Sequence, residues 1–240
     1  MLSIMLPSYK EGENLKNILP RIHKALSGLG DDYEILIVDT MTPMDDTEEV
    51  CRSLNAKYVP RENGNFYGDA IRTGISKASG EYLVIMDADG SHDPEEILRF
   101  HSIMKEDPDV DLVIGSRYCK GGHTDNNFIL RFMSWILNVS YRLMFGLKIK
   151  DVSDSFRMYK LDQLKKLSLE CSNFDIVEEL LIKLSICVDD FLPREVPISF
   201  NKRAEGESKR NLFKFILSYI ATMNRLMKIK RAAKKARADK

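Results

Sequence analysis

Four short runs of Ile, Leu and Val dictate most of what this chain can become. They occupy residues 2–6, 34–38, 82–86 and 111–114, each followed by polar residues and then by a helix-like pattern. Ile35-Leu36-Ile37-Val38 and Tyr82-Leu83-Val84-Ile85-Met86 are apolar at every position. A strand with one solvated face alternates in polarity. A strand without alternation is covered on both faces, as in a parallel sheet sandwiched between helices. The intervening helices are expected at roughly 13–28, 45–54, 66–79 and 93–106. The last opens with Asp93-Pro94-Glu95-Glu96, which offers an N-cap, a Pro at the first helical position and acids in the first turn. In such a βαβα fold, ligands belong at the carboxyl ends of the strands.

After about residue 120 the alternation lapses into a long apolar segment, a polar hinge at 150–157, a helix near 173–186, an extended piece at 194–200 and a basic tail. The 240 residues suffice for one substantial core. The expected division is a catalytic-type domain over 1–211 and an amphipathic basic helix or tail over 212–240. Charge supports that division: residues 201–240 carry 13 Lys and Arg against 3 Asp and Glu, leaving 23 against 33 for residues 1–200. An acidic body argues against nucleic acid as a partner, because phosphate backbones need a basic face. A basic tail behind apolar residues suits an anionic membrane surface, and a solvated terminus is the plain alternative.

Neither long apolar segment reads as a membrane span. Arg131 and Arg142 interrupt 128–147, and Lys214 and Arg225 interrupt 212–229, whereas a crossing needs roughly 20 predominantly apolar residues. Interfacial or core-packed helices are expected. Cys51, Cys119, Cys171 and Cys187 show neither paired nor His-interleaved spacing, so no zinc site or disulfide framework is indicated and a reducing cytoplasm fits. The N-terminal Met1-Leu2-Ser3-Ile4-Met5-Leu6-Pro7 reads as a strand rather than a signal peptide.

Chemistry concentrates where the strands end. Asp87-Ala88-Asp89 directly follows the run ending at Met86, and two carboxylates spaced i, i+2 at a strand exit can converge on a divalent cation whose other ligands are substrate oxygens. Asp39 closes the strand at 35–38; it either accepts hydrogen bonds from a nucleobase or caps a turn. Pro7-Ser8-Tyr9-Lys10 after the first strand excludes the Gly-rich turn of a dinucleotide-binding dehydrogenase, and no G-x-x-x-x-G-K-[ST] loop is present. His23, His92, His101 and His123 have no metal-like mutual spacing. His92, beside the Asp87–Asp89 segment, reads as structural.

Six segments together carry a resemblance. The opening Leu6 to Asn14 (LPSYKEGEN) is similar to the start of inverting family 2 glycosyltransferases of the GT-A fold, particularly the polyprenyl-phosphate (dolichol-phosphate) mannosyltransferases. Val38-Asp39 with Asp45 and Thr47, Arg61 to Gly74, Asp87 to Glu95, Gly115 to Tyr118 and Val196 to Lys209 agree in the same order. The implied fold is α/β, a GT-A Rossmann-like and mostly parallel sheet with helices on both faces. The implied activity is transfer of a hexose, mannose from GDP-mannose by preference, to a polyprenyl or dolichyl phosphate by a peripheral protein at the cytoplasmic membrane face. UDP-glucose or a UDP-N-acetylhexosamine is the alternative donor, a surface glycan the alternative acceptor, and a docked nucleotide-sugar-binding module the reading without turnover. A membrane-spanning partner protein is a further candidate.

By the same resemblance, Pro7, Tyr9, Glu11 and Asp39 hold the nucleoside, while Asp87 and Asp89, flanking Ala88, hold Mg²⁺ or Mn²⁺ on the diphosphate, with Ser91 nearby. Arg117, Arg203, Ser208 and Lys209 face phosphates. Asp151 is either the acceptor-side carboxylate or a helix cap after the 146–150 loop, Asp151 or Asp154 serves as base if the acceptor is a glycan, and Arg131 with Ser134 binds the acceptor phosphate. Glu179 matches the family's helix Glu and either pairs with an active-site Arg or solvates a helix face. Thr40, Ser91, Leu130, Asp154 and Ser155 depart from the family pattern.

Overall fold

The computed structural model describes residues 1–202 and 212–238. In chain order the elements are β1 (Leu2–Pro7), α1 (Gly12–Leu26), β2 (Tyr33–Asp39), α2 (Thr47–Ser53), β3 (Lys57–Pro60), α3 (Tyr67–Lys77), β4 (Tyr82–Ile85), α4 (Glu96–Glu106) and β5 (Leu112–Ser116). Then follow β6 (His123–Thr124), α5 (Phe128–Phe145), β7 (Arg157–Lys160), α6 (Leu161–Lys165), α7 (Ile176–Cys187), β8 (Pro193–Pro197), β9 (Ser199–Phe200) and α8 (Leu212–Ala238).

Seven strands form one sheet in the order β3-β2-β1-β4-β7-β5-β8. All pairings are parallel except those of β7, which runs antiparallel between β4 and β5. The uniformly apolar strands are covered on both faces, as their sequence requires. Leu2, Ile4 and Leu6 of β1 pack with Leu15, Ile18 and Leu19 of α1 and with Ile97 and Phe100 of α4. Met5 points to the other face, into a core with Ile71 of α3, Leu180 of α7 and Tyr141 of α5. Helix α4 begins two to three residues later than its acids suggest. Asp93 Oδ1 accepts the Glu95 N–H (3.1 Å), and i to i+3 bonds from Glu96 and Ile97 make a tight turn before the helix proper. Helix α5 is bounded by local signals at both ends, an Asn127 side chain accepting the Leu130 N–H (2.9 Å) and Gly146 at φ 66°.

The strand β7 begins on the last residue of the segment expected as a polar hinge, and that residue, Arg157, is fully buried. Its guanidinium donates to the carbonyls of Val177 (3.0 Å) and Val152 (2.7 Å). Beneath it lies Glu178 of α7, also fully buried. Burial pushes this carboxyl up to about 8, against the opposing pull of Arg157. A carboxyl whose folded pKa lies above its ordinary 4.5 favours folding below 4.5, and that contribution is lost as pH rises towards 8. Glu178→Gln is therefore expected to raise Tm at about pH 9, by roughly 2–4 °C per kcal/mol recovered, and to leave it unchanged near pH 4.5. Thermal denaturation across that range checks it; an equal shift at both ends would show that ionisation is not the cause.

The C-terminal helix α8 packs on the domain. Tyr219, Thr222 and Leu226 are buried, Met223, Met227 and Ile229 partly so, while Ile220 stays 48% exposed. The apolar face expected for membrane insertion is thus used for packing at Tyr219 and Met223. Leu212, Phe213, Phe215, Ile216 and Leu217 lie outside the described side chains. No helix among the described residues is long and apolar enough to cross a membrane.

Candidate active site

The sheet changes direction of winding between β1 and β4: β2 and β3 lie on one side, β7, β5 and β8 on the other. At such a switch point the loops leaving the carboxyl ends splay apart and open a crevice. Here a cleft of about 320 Å³ is lined by Pro7, Ser8, Tyr9 and Glu11 after β1, by Asp87, Ala88 and Asp89 after β4, by Arg61, Asn65, Phe66 and Tyr67, and by Asn173 and Phe174.

One pole of the cleft is backed by Asp39 at the end of β2, which stands beside Arg61 and does not itself line the cleft. It is fully buried, with the Tyr58 hydroxyl 3.5 Å from Oδ2 and no hydrogen-bond partner on Oδ1. Burial raises its pKa, with the nearby Asp45 adding to the effect. It caps no helix. That work falls to Asp45, whose carboxylate accepts the N–H of Gly12 (3.0 Å) and of Thr47 (3.1 Å), so the matching Asp45 and Thr47 are structural. Arg61 is buried beside Asp39 and donates to the carbonyls of Ser8, Asn65 and Phe66, tying the β1 exit to the loop before α3.

At the other pole the β4 exit delivers Asp87 and Asp89. Asp89 is 3% exposed, and its Oδ1 accepts both the Ser91 N–H (3.0 Å) and the Ser91 hydroxyl (2.5 Å). Gly90, at φ 77°, makes the turn that folds Ser91 back. Two carboxylates and a hydroxyl are all-oxygen donors, the set that Mg²⁺ and Mn²⁺ take when substrate and water complete the shell. Among the described residues no three His, Cys, Asp or Glu side chains are grouped for a metal.

Beside the cleft stands an ion cluster. Arg117, after β5, donates through Nε and Nη2 to the two oxygens of Asp151 (both 2.8 Å) and through its backbone N–H to Oδ2 (3.0 Å). Its Nε also lies 3.1 Å from Asp154. Burial raises the Asp154 carboxyl, but the Arg117 charge, with His92 beside it, outweighs burial and holds Asp154 down at about 2. Both carboxylates are fully buried or nearly so. Arg117 is therefore engaged with acids, and Asp151 sits in an irregular segment rather than capping a helix. Ser134 of α5 reaches the cluster through Ser153 (3.2 Å), which accepts from Arg117 (2.9 Å). Arg131 lies exposed on α5, one turn away. Arg203, Ser208 and Lys209 lie outside the described residues.

His92 joins the two groups. The Asp87 N–H points at Nδ1 (3.2 Å), so Nε2 carries the ring proton and faces Asp154 Oδ1 at 3.3 Å. The ring stacks on Phe156, centroids 4.9 Å apart. Glu179 takes neither expected role: it is fully buried and accepts from the N–H groups of Glu170 and Cys171, from Lys183 and from Arg225 of α8. Asn173 and Phe174 escaped sequence analysis because nothing in a loop before a helix marks a residue as facing a cleft 90 residues away. Arg61 stood in a matching segment, but only its burial shows what it does.

A crevice at the switch point of an open α/β sheet, with acids at two strand exits, stands where α/β proteins of this build place their ligands. The chain belongs to glycosyl transferase family 2, whose model matches residues 3–168. It is 36% identical over 237 residues to a dolichol-phosphate mannosyltransferase of Pyrococcus furiosus, covering 95% of this chain and 64% of that relative's length. It is 32% identical over 224 residues to a polyprenol monophosphomannose synthase of Mycolicibacterium smegmatis, covering 86% and 79%. The fold is GT-A-like: glucosyl-3-phosphoglycerate synthase from Mycobacterium tuberculosis, in complex with Mn²⁺, UDP and glucosyl-3-phosphoglycerate, superposes with a TM-score of 0.74 at 18% identity, over 95% of this chain and 80% of that one.

Proposed function

We propose that this chain transfers a hexose, mannose from GDP-mannose, to a polyprenyl or dolichyl phosphate at the cytoplasmic face of a membrane, with inversion at the anomeric carbon. The names of the two relatives support the lipid phosphate acceptor. The observation that carries it in this chain is the position of α5. Its Phe128, Ile129, Phe132, Trp135, Ile136 and Leu143 are 45–80% exposed, while its Ser134 is linked to the Arg117–Asp151 cluster through Ser153. An apolar surface of that kind next to an ionic site suits an acceptor with a hydrocarbon tail and a phosphate head.

Asp87 and Asp89 with Ser91 hold Mg²⁺ or Mn²⁺ in this reading, and when bound the metal neutralises charge on the leaving diphosphate. Pro7, Tyr9, Glu11 and Ala88, which line the cleft, form the nucleoside side, and the buried Asp39, whose Oδ1 has no partner, accepts from the base. The phosphate oxygen attacks the anomeric carbon as the bond to the diphosphate breaks, and the diphosphate leaves with the electron pair. No base is needed, since a phosphate monoester has a second pKa of about 6 and is already anionic. Asp154, held well below the usual carboxylate range by Arg117, is a poor base, and both oxygens of Asp151 are taken up by Arg117, which disfavours a sugar hydroxyl as acceptor. The ion cluster positions the acceptor phosphate between Arg117, Arg131 and Ser134, and Arg203 and Lys209 serve the phosphates from the segment after β9.

The test is product analysis with radiolabelled GDP-mannose or UDP-glucose and liposomes bearing polyprenyl phosphate. Label in a mild-acid-labile lipid, greater from GDP-mannose, is the expected result. Label in glycan, or none, overturns the reading.

A further inference from the structure

We infer that the C-terminal helix is part of the donor site: Thr222 and Arg225 of α8 are positioning residues that hold the 170–175 loop, and with it Asn173 and Phe174, as one wall of the cleft. The inference rests on the cleft's being the donor site. The loop presents only its tip to the cleft, where the Phe174 ring stacks on Tyr67 with centroids 4.3 Å apart and 27° between planes. Its base is gripped from α8. The Thr222 hydroxyl donates to Asp175 Oδ2 (2.6 Å), and Arg225 reaches Cys171 Sγ (2.8 Å) and Glu170 Oε2 (3.3 Å).

The opposite side of the loop meets α3 at a distance only a glycine permits. The Gly68 N–H donates to the Ser172 carbonyl (2.8 Å), and a Cβ at 68 would lie 2.1 Å from the Cys171 carbonyl oxygen. The loop is thus clamped between α3 and α8, with no slack on the α3 side. Asp175 decides what happens when α8 lets go. It is 4% exposed and its Oδ1 already has no hydrogen-bond partner, so losing Thr222 strands a buried carboxyl. Moving Asp175 towards water relieves that, and Asn173 and Phe174 move with it.

The test uses the full chain, comparing Thr222→Val with Thr222→Ser, which keeps the hydroxyl, and with Lys230→Ala, which removes another α8 anchor (to the Phe145 carbonyl, 2.7 Å) remote from the loop. Amide exchange followed by mass spectrometry reports the loop; calorimetric titration with GDP-mannose and with UDP-glucose, each with Mn²⁺ and no acceptor, reports the cleft. Thr222→Val is expected to speed exchange in 170–175 and at Gly68 and to weaken nucleotide-sugar binding about tenfold, equivalent to about one hydrogen bond. KM for the lipid acceptor stays unchanged, Thr222→Ser behaves as wild type, and Lys230→Ala affects neither readout. Unchanged exchange in Thr222→Val, faster exchange with unchanged binding, or the same losses in Lys230→Ala would overturn the inference alone. A wild-type chain that binds neither nucleotide sugar overturns the donor reading and the inference with it.

Discussion

Asp89→Ala is expected to lower transfer by about a thousandfold or more, on the scale of removing a group that stabilises charge developing in a transition state. Asp87→Ala should do the same, and EDTA should abolish activity in a manner that Mg²⁺ or Mn²⁺ restores. The two aspartates differ in their second duty. Asp89 also accepts two hydrogen bonds from Ser91, so its loss loosens the turn as well, whereas the Asp87 backbone rather than its side chain contacts His92. Asp89→Ala should accordingly lose a little Tm. Activity of folded Asp87→Ala or Asp89→Ala at the wild-type rate, or full activity of the wild type in EDTA, would remove the carboxylate pair from the mechanism.

Arg117→Ala is expected to cost both folding and turnover. It leaves Asp151 and Asp154 buried without their cation, and breaking a buried pair in this one-sided way costs about 3–5 kcal/mol. In the wild type the Asp154 carboxyl, held at about 2, contributes stability above its ordinary 3.8 that is lost as pH falls towards 2. Without Arg117 that contribution shrinks, and acid unfolding should set in at higher pH. Arg117→Lys keeps a charge but not the two-pronged grip on Asp151, and it should recover only part of either loss. Adding Asp154→Asn to Arg117→Ala should restore part of the stability, Asp151 still lacking its cation, without restoring turnover. Urea titrations and transfer rates on the four proteins separate the effects. A stable Arg117→Ala chain would mean that water reaches the cluster and screens it.

The fold was legible where burial is written as composition. The runs at 2–6, 34–38, 82–86 and 111–114 become β1, β2, β4 and β5, because a strand covered on both faces has no polar positions to confuse the pattern. The strand β7 was illegible for the opposite reason: Arg157 looks like solvent-facing hinge chemistry, and only the carbonyls of Val152 and Val177, supplied from elsewhere, make its burial tolerable. The candidate site divides in the same way. Asp39, Asp87 and Asp89 were recognisable as acids at strand ends. The partnership of Arg117 with Asp151 and Asp154 spans some 34 residues of sequence and has no local signature. His92 read as structural from its spacing, and the structure gives it the bridge between the Asp87 backbone and Asp154.

The place of β7 in the sheet also sets an order of events during synthesis. Strands β1 to β4 pair side by side as they emerge, but β4 and β5 are joined only through β7, which pairs with both and follows them by some 40 residues or more. Until residue 160 has left the ribosome the nascent chain carries two apolar strand edges, Leu83-Val84-Ile85 and Leu112-Val113-Ile114, with nothing between them. Open edges of that composition are templates for pairing with other chains. A chain released before β7 is therefore a strong client for chaperones and a poor starting point for a minimal domain. One released just beyond α6 has its sheet zipped but for the β8 edge.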